Sequence, residues 1–325
     1  MAKVKTLAAF TSEQRAKAHA LLAAKVAYMM GRKFEEGDWA EVYCKAKGIP
    51  LQGWSNLNID ITHAGLGVEQ KMLCYRSDAD LAEAFGQTLM HPAATRAIRV
   101  PPTDVDANEA MHEIFRQYAA LIRQRTDKVR ETSPAGTQPD MRTGWLLWQE
   151  SLRQFLYFEE PMLAPDPKDF YAEWHDSGGG ARKASRNLWV FDKVTGHKRF
   201  SITTAAGAKI QPYFDVPPPN DPNVYLFTVI GEVIGVGMVR VWLTIATFRE
   251  LKRVLGDFDT AKVSEFVLRK LVGASSSMII REGDEPTAET IVLTAEAYMR
   301  LKAVFPGVND DNSVQLFLEF IGEQS

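Results

Sequence analysis

Residues 58–71, Asn58-Ile59-Asp60-Ile61-Thr62-His63-Ala64-Gly65-Leu66-Gly67-Val68-Glu69-Gln70-Lys71, decide how this chain is read. From Asn56 to Ile61 polar and apolar side chains alternate, the period of a half-buried strand. His63 to Gly67 reads as a turn with glycines free to take positive φ, and Val68 to Cys74 reads as the next strand. Residues two apart on a strand share a face, so Glu69 and Lys71 project together. A short turn pairs the strands antiparallel and brings the Asp60 carboxylate near Glu69. Two carboxylates on one face repel, which favours a divalent cation, and hard oxygen donors suit Mg²⁺. Lys71 beside them can orient a water or stabilise a pentavalent phosphorane. Phosphodiester hydrolysis needs this set: an activated water, a polarised phosphoryl oxygen and a neutralised developing charge.

The flanks supply a helical frame. Residues 11–30 carry an apolar face at Ala18, Leu22, Val26 and Met29, with Thr11 as N-cap. A second helix is expected from Asp38 to Lys47, burying Trp39, Val42, Tyr43 and Ala46 and stopped by Gly48 and Pro50. A short strand is expected at 51–54, a helix over 78–90, and a strand at 95–100. Further on, 107–130 reads as one long amphipathic helix with a basic end (Arg116, Arg123, Arg125, Lys128, Arg130). Residues 131–143 read as loop, and the aromatic stretch 145–158 as helix, with Trp145, Trp148, Phe155, Tyr157 and Phe158 in its core.

At Asp60 and Glu69-Gln70-Lys71 the sequence resembles the PD-(D/E)XK nuclease superfamily, whose E-x-K and upstream Asp these residues match. Ile59 stands where the motif has proline. The resemblance covers roughly residues 31–100 and implies an α-β-β-β-α-β core with a mixed sheet. It also implies a further acid from the first helix. Glu36 and Glu41 are the candidates, Glu36 ranked first because it precedes the apolar stripe. The expected site is then Asp60, Glu69 and Lys71 as catalytic residues, with Asp60, Glu69 and Glu36 on Mg²⁺.

Other motifs carry less. A second E-x-K, Glu250-Leu251-Lys252, sits in an amphipathic helix, where its charges point about 200° apart. His63 reads as an exposed turn residue. Gly65-Leu66-Gly67 lacks the lysine and following helix of a phosphate loop, and no Gly-x-Ser-x-Gly occurs. Cys44 and Cys74 have no zinc-ligand spacing and read as reduced, packed thiols. Asp60, Glu69 and Lys71 could also form a solvated hairpin face with cross-strand charge pairs.

The chain has 325 residues, 46% of them hydrophobic and 24% charged, an ordinary globular composition that excludes a disordered or collagen-like protein. Fold class is α/β (α+β): the nuclease core, a helical middle region and a second α/β domain. The glycines of Asp176-Ser177-Gly178-Gly179-Gly180 suggest a joint dividing residues 1–176 from 181–325. Strands are expected at 187–192, 198–203, 224–230 and 238–243. A weak repeat relates 241–254 to 291–304, each copy a strand, a Thr cap and an amphipathic helix. No run of about 18 apolar residues and no signal-peptide block is present, so a cytoplasmic location is expected.

Net charge is −3, but it is segregated. Residues 1–33 and 181–210 each carry seven Lys/Arg against one acid, whereas 211–325 are acidic. Arg182, Lys183, Arg186, Lys198 and Arg199 are therefore candidate DNA contacts, with a plain β-hairpin as the alternative. Most of the chain lies outside the nuclease core, with no helicase or methyltransferase motif. The resemblance therefore implies a Mg²⁺-dependent type II restriction endonuclease. It would cut double-stranded DNA as a homodimer, with a cognate DNA methyltransferase as functional partner. A DNA-repair or phage-defence nuclease, a non-catalytic DNA-binding or regulatory protein, and an α/β module for a protein partner are the alternatives.

Overall fold

The computed structural model describes residues 6–29, 33–51, 59–75, 80–92, 98–177, 185–204, 209–271 and 288–323. The chain is mixed α+β, and the described residues form three sheets and seven α-helices. Helix α1 (Ser12–Ala27) opens on a capping box: the Thr11 hydroxyl accepts from the Gln14 amide while the Gln14 side chain accepts from the Thr11 amide. Helix α2 (Glu36–Lys47) ends at Gly48, whose φ of 70° closes the last turn in the left-handed region that glycine enters at little cost. Leu22, Val26, Trp39, Val42 and Tyr43 on these helices are buried in one core.

The decisive hairpin follows. Strands β1 (Ile61–His63) and β2 (Leu66–Tyr75) are joined by Ala64 and Gly65, with φ of 46° and 84°. Positive φ at both central residues is the type I′ turn, whose twist matches that of the strands. It fixes the register Ile61↔Val68 and His63↔Leu66, which sets Asp60 level with Glu69. After β3 (Thr88–Met90) and α3 (Ala107–Arg130), strand β4 (Asp140–Gln149) returns parallel to β2 over ten residue pairs. Parallel neighbours need a crossover, and α3 lies in it. Strand β5 (Gln154–Pro161) then pairs antiparallel with β4.

Strands β6 (Phe170–Ser177), β7 (Ser185–Asp192), β8 (Lys198–Thr203) and β9 (Lys209–Asp215) form an antiparallel meander completed by β3. Strand β10 (Tyr225–Thr228) goes back to the first sheet, whose order is β1-β2-β4-β5-β10. That sheet is covered on both faces. Val68, Leu146, Phe155 and Tyr157 face α1 and α2, while Trp145, Leu147, Leu156 and Phe158 face Leu81, Phe214 and Val216. Helix α3 bridges the two sheets, with Met111, Ile114 and Phe115 against Leu188 and Ile202 and its second half against Ile59.

The remaining residues build β11 (Glu232–Gly235), β12 (Met238–Thr244), α4 (Ile245–Leu255), α5 (Thr260–Lys270), β13 (Ala288–Thr294), α6 (Ala295–Val304) and α7 (Asp310–Glu323) around their own core. The repeat is larger than its sequence suggests. Thr244 and Thr294 cap α4 and α6, and fifty residues apart again Asp259 and Asn309 accept from Lys262 and Asn312 amides at the starts of α5 and α7. Each copy is a strand followed by two helices. The two strands pair antiparallel with Val241 opposite its own counterpart Ile291.

Several expectations need correction. Residues 145–158 are two strands of a hairpin, not a helix. A strand buried on both faces loses its alternation, so an unbroken aromatic run reads equally well at either period. Over 78–90, Asp80 caps a single 3₁₀ turn at Leu81–Ala84, Gly86 breaks it at φ 77°, and β3 follows. Of the strand placed at 95–100, residues 98–100 carry no strand and Ile98 packs against α3; residues 95–97 lie outside the described residues. Strand β1 starts only at Ile61, and 52–58, which held most of the expected 51–54 strand, lie outside the described residues. The boundary at 176–181 falls between β6 and β7, which pair with each other, and β10 joins the sheet of β5. Division there would separate partners in both sheets. No described helix is long and apolar enough to cross a membrane.

Candidate active site

Glu36, Asp60, Glu69 and Lys71 meet where the first turn of α2 faces the β1–β2 hairpin. Helix α2 packs on the face of β2 that carries Val68, and α3 on the face that carries Gly67. Asp60 precedes β1, and its Oδ2 accepts from the Gln70 backbone N–H at 2.6 Å. Its carboxyl is also hydrogen-bonded to Glu36. On β2, the Lys71 ammonium donates to Glu69 Oε1 at 2.7 Å. Glu69 is 7% exposed. Glu41 turns elsewhere, pairing with Lys25 and, at 2.5 Å, with Lys45.

The electrostatics follow from this crowding. Burial first, then the charges of Glu69 and Glu36, push the Asp60 carboxyl up to about 7, against the pull of Lys71 and the Gln70 amide. Burial also raises Glu36, helped by Glu69 and opposed by Lys71 and Asp60. Asp60 therefore keeps its proton until near neutral pH, beside a Glu36 carboxyl that is raised as well. Burial works to lower Lys71, but Glu69, Asp60 and Glu36 outweigh it and hold the amine above the ordinary lysine value. Lys71 is a fixed cation here, suited to stabilising charge rather than abstracting a proton.

Among the described residues no three carboxylate, imidazole or thiol groups are already gathered to grip a metal ion. The donor set still fits a hard divalent cation. Glu69 Oε2 is buried with no hydrogen-bond partner among the described residues, an expensive state for a carboxylate oxygen. Glu36 and Asp60 lie close enough to share a proton that a cation would displace. Mg²⁺ takes one or two protein carboxylates and keeps several waters, which Asp60 and Glu69 can satisfy with Glu36 alongside.

The sequence reading did not place Arg125 at this site. From α3, its Nη1 lies 3.1 Å from Glu69 Oε1. Ile122, Arg125 and Val129 share one helix face, and Ile122 and Val129 are buried against Ile59 and Met162. A charge inside that apolar stripe is the signal that could have found it. Tyr118, two turns earlier, is also close to Lys71, Glu69 and Arg125, and burial raises its phenol. Behind the site, the Gln70 side chain donates to the Tyr157 hydroxyl at 3.2 Å, and Tyr157 donates to Glu159 at 2.8 Å. Glu159 is fully buried and paired with Arg142 at 2.8 Å. Gly144 leaves the room: a Cβ there would meet the Tyr157 hydroxyl and, at 2.6 Å, Gln70 Oε1.

Those of the basic residues expected to touch DNA that are described each make a local contact. Arg182 and Lys183 lie outside the described residues. Arg199 is paired with Asp215 at 2.7 Å, and Arg186 with Asp176 at 3.3 Å. Lys198 stands over the Trp189 ring at 3.4 Å, and His175 stacks on Trp189 at 3.6 Å. Phe200 turns to the opposite face, against Phe115. Glu250 of the second E-x-K is exposed on α4 and pairs with Arg253 at 2.6 Å. No family model, curated protein or solved structure matches this chain.

Proposed function

We propose that this chain is a Mg²⁺-dependent endonuclease that hydrolyses phosphodiester bonds of double-stranded DNA. Within that class a sequence-specific type II restriction endonuclease of the PD-(D/E)XK superfamily is the reading we favour, acting as a homodimer beside a cognate methyltransferase. One observation carries the chemistry: Glu36 on α2, Asp60 just ahead of β1, and Glu69 and Lys71 on β2 act on one another electrostatically, and one Glu69 oxygen is buried without a hydrogen-bond partner among the described residues. With β3 in a second sheet, the order α2, β1, β2, α3, β4 in the first, mixed sheet supports the family reading as an α-β-β-α-β part of its core, the earlier strand expected at 51–54 falling mostly outside the described residues. In it α3 and β4 take the places first assigned to 78–90 and 95–100.

Asp60 and Glu69 would hold the cation, with Glu36 alongside. The bound cation would acidify a water and polarise the phosphoryl oxygen. The Gln70 amide fixes the Asp60 carboxylate, and Glu69 fixes the Lys71 ammonium. Lys71 would meet the negative charge that builds on the non-bridging phosphoryl oxygens as the water oxygen bonds to phosphorus, losing a proton to solvent, and the bond from phosphorus to the ester oxygen breaks, that oxygen taking up a proton from solvent. A preorganised donor of this kind is worth roughly 3–4 kcal/mol in barrier height.

The test is a digest of unmethylated phage DNA with and without Mg²⁺. Discrete bands with Mg²⁺ support the proposal, and a smear favours a nonspecific nuclease. Binding without cleavage under Mg²⁺ and Mn²⁺ would favour the non-catalytic alternative.

A further inference from the structure

We infer that Arg125 is the phosphate-binding group of this site, parked on Glu69 in the free protein and turned to a non-bridging phosphate oxygen when a DNA strand is bound. The inference rests on the nuclease reading and adds a substrate contact from an element outside the motif.

Glu69 Oε1 accepts from Lys71 at 2.7 Å and lies 3.1 Å from Arg125 Nη1, so two cations share one oxygen while Oε2 has no hydrogen-bond partner among the described residues. Among the described residues this is the one ion pair of Arg125, with Nη1 its closest nitrogen. A guanidinium has five donors in a planar fork that matches phosphate, and most of that capacity is unused here. The side chain is 27% exposed, against 10% for Glu69, so it stands at the rim rather than beneath the site.

The helix is held still while the guanidinium is not enclosed. Val129 seats against Gly67 so closely that a Cβ there would lie 2.5 Å from its Cγ2. Ile122 and Val129 flank Arg125 one turn to either side and lock α3 across the hairpin. Only the side chain has to turn.

Charge balance points the same way. Three ionised acids against Lys71 and one divalent cation leave the site neutral. Arg125 adds one positive charge, which matches the single negative charge of a phosphodiester. Arg123, Lys128 and Arg130 continue the basic end of α3 and are exposed.

The experiment uses the full chain and a duplex oligonucleotide, with Ca²⁺ replacing Mg²⁺. Fluorescence anisotropy is followed across a salt series for the wild type, Arg125→Ala, Arg125→Gln and Arg125→Lys. Thermal melts first establish that each variant is folded. Loss of one phosphate contact on B-form DNA lowers the slope of log K against log salt by about 0.9. Arg125→Ala and Arg125→Gln should show that drop with roughly tenfold weaker binding, and single-turnover cleavage in Mg²⁺ should fall about a hundredfold. Arg125→Lys should keep the slope and part of the rate. If the Ala or Gln variant keeps the wild-type slope, this inference is overturned, whether or not the protein cleaves. If the wild type binds and never cleaves, the nuclease proposal fails while the slope still decides the role of Arg125. A wild type that binds no DNA removes both.

Discussion

Replacing Asp60 by asparagine tests the electrostatic account without requiring cleavage. The folded protein holds the Asp60 carboxyl at about 7, against 3.8 for an unperturbed group. A carboxyl raised on folding binds its proton more tightly in the native state. Its stabilising contribution is therefore complete below the unfolded value and is lost as pH rises through the folded one. The window runs from about pH 4 to about pH 7. Three units at about 1.4 kcal/mol each set a ceiling of roughly 4 kcal/mol. Coupling to Glu36 reduces the effect of one residue to on the order of 2 kcal/mol. Asparagine keeps an oxygen to accept from the Gln70 amide and can donate to Glu36, so geometry is retained while the charge is removed. With a melting entropy of about 2.1 cal/mol/K per residue, 2 kcal/mol corresponds to a rise in Tm of roughly 3 °C for a chain of this length. Scanning calorimetry in EDTA should show Asp60→Asn above wild type near pH 8, the gap closing by about pH 5. Addition of Mg²⁺ near pH 8 should raise the wild-type Tm and leave the variant unmoved. A variant that melts below wild type near pH 8, or tracks it at every pH, would refute the assignment of a costly charge to Asp60.

Glu69→Ala and Lys71→Ala should each abolish Mg²⁺-dependent cleavage while anisotropy still reports DNA binding; normal turnover by either would relocate the site. Glu250→Ala removes only an exposed pair three residues apart on α4, so its Tm and cleavage rate should stay within about 0.5 kcal/mol of wild type. Gly144→Ala drives a methyl into the Tyr157 hydroxyl and Gln70, at a cost of about 1–3 kcal/mol in chemical denaturation. Because Gln70 sits between Glu69 and Lys71, that variant should also lose cleavage well below its melting temperature.

The hairpin was legible because its signals are local. Glycine stood in the turn and a two-residue period put Glu69 and Lys71 on one face, whereas the alternation from Asn56 to Ile61 meets strand only at Ile61, residues 56–58 lying outside the described residues. The cap of α1 at Thr11 and the stop of α2 at Gly48 were legible for the same reason. What failed was set by partners far away. Trp145 to Phe158 is strand because β2 and β10 flank it and two cores cover it, and periodicity within the run cannot register either. Leu81 to Ala84 stays a single turn because the chain beyond it is taken by a distant strand: the Gly86 amide donates to Val216 at 2.9 Å and Thr88 to Met90 pair with β9. Arg125 reaches Glu69 from a helix fifty-odd residues downstream, a contact that spacing near the motif could not reveal.

The centre-to-centre pairing of β12 with β13 places a local two-fold axis inside one polypeptide. Two identical subunits meeting on such an axis must feel every substitution twice, once on each side. A single chain is released from that constraint, and this one has used the freedom. Helix α5 begins Thr260-Ala261, whereas α7 begins Asp310-Asp311 at the same place in its copy. Those two buried carboxylates accept from the Gly231 and Thr244 amides, each at 2.7 Å. Through Asp310 one half has become the fastener that ties the C-terminal core to the chain ahead of β11, while on its twin Ser264 accepts from the Thr294 amide at 2.9 Å, inside the same core.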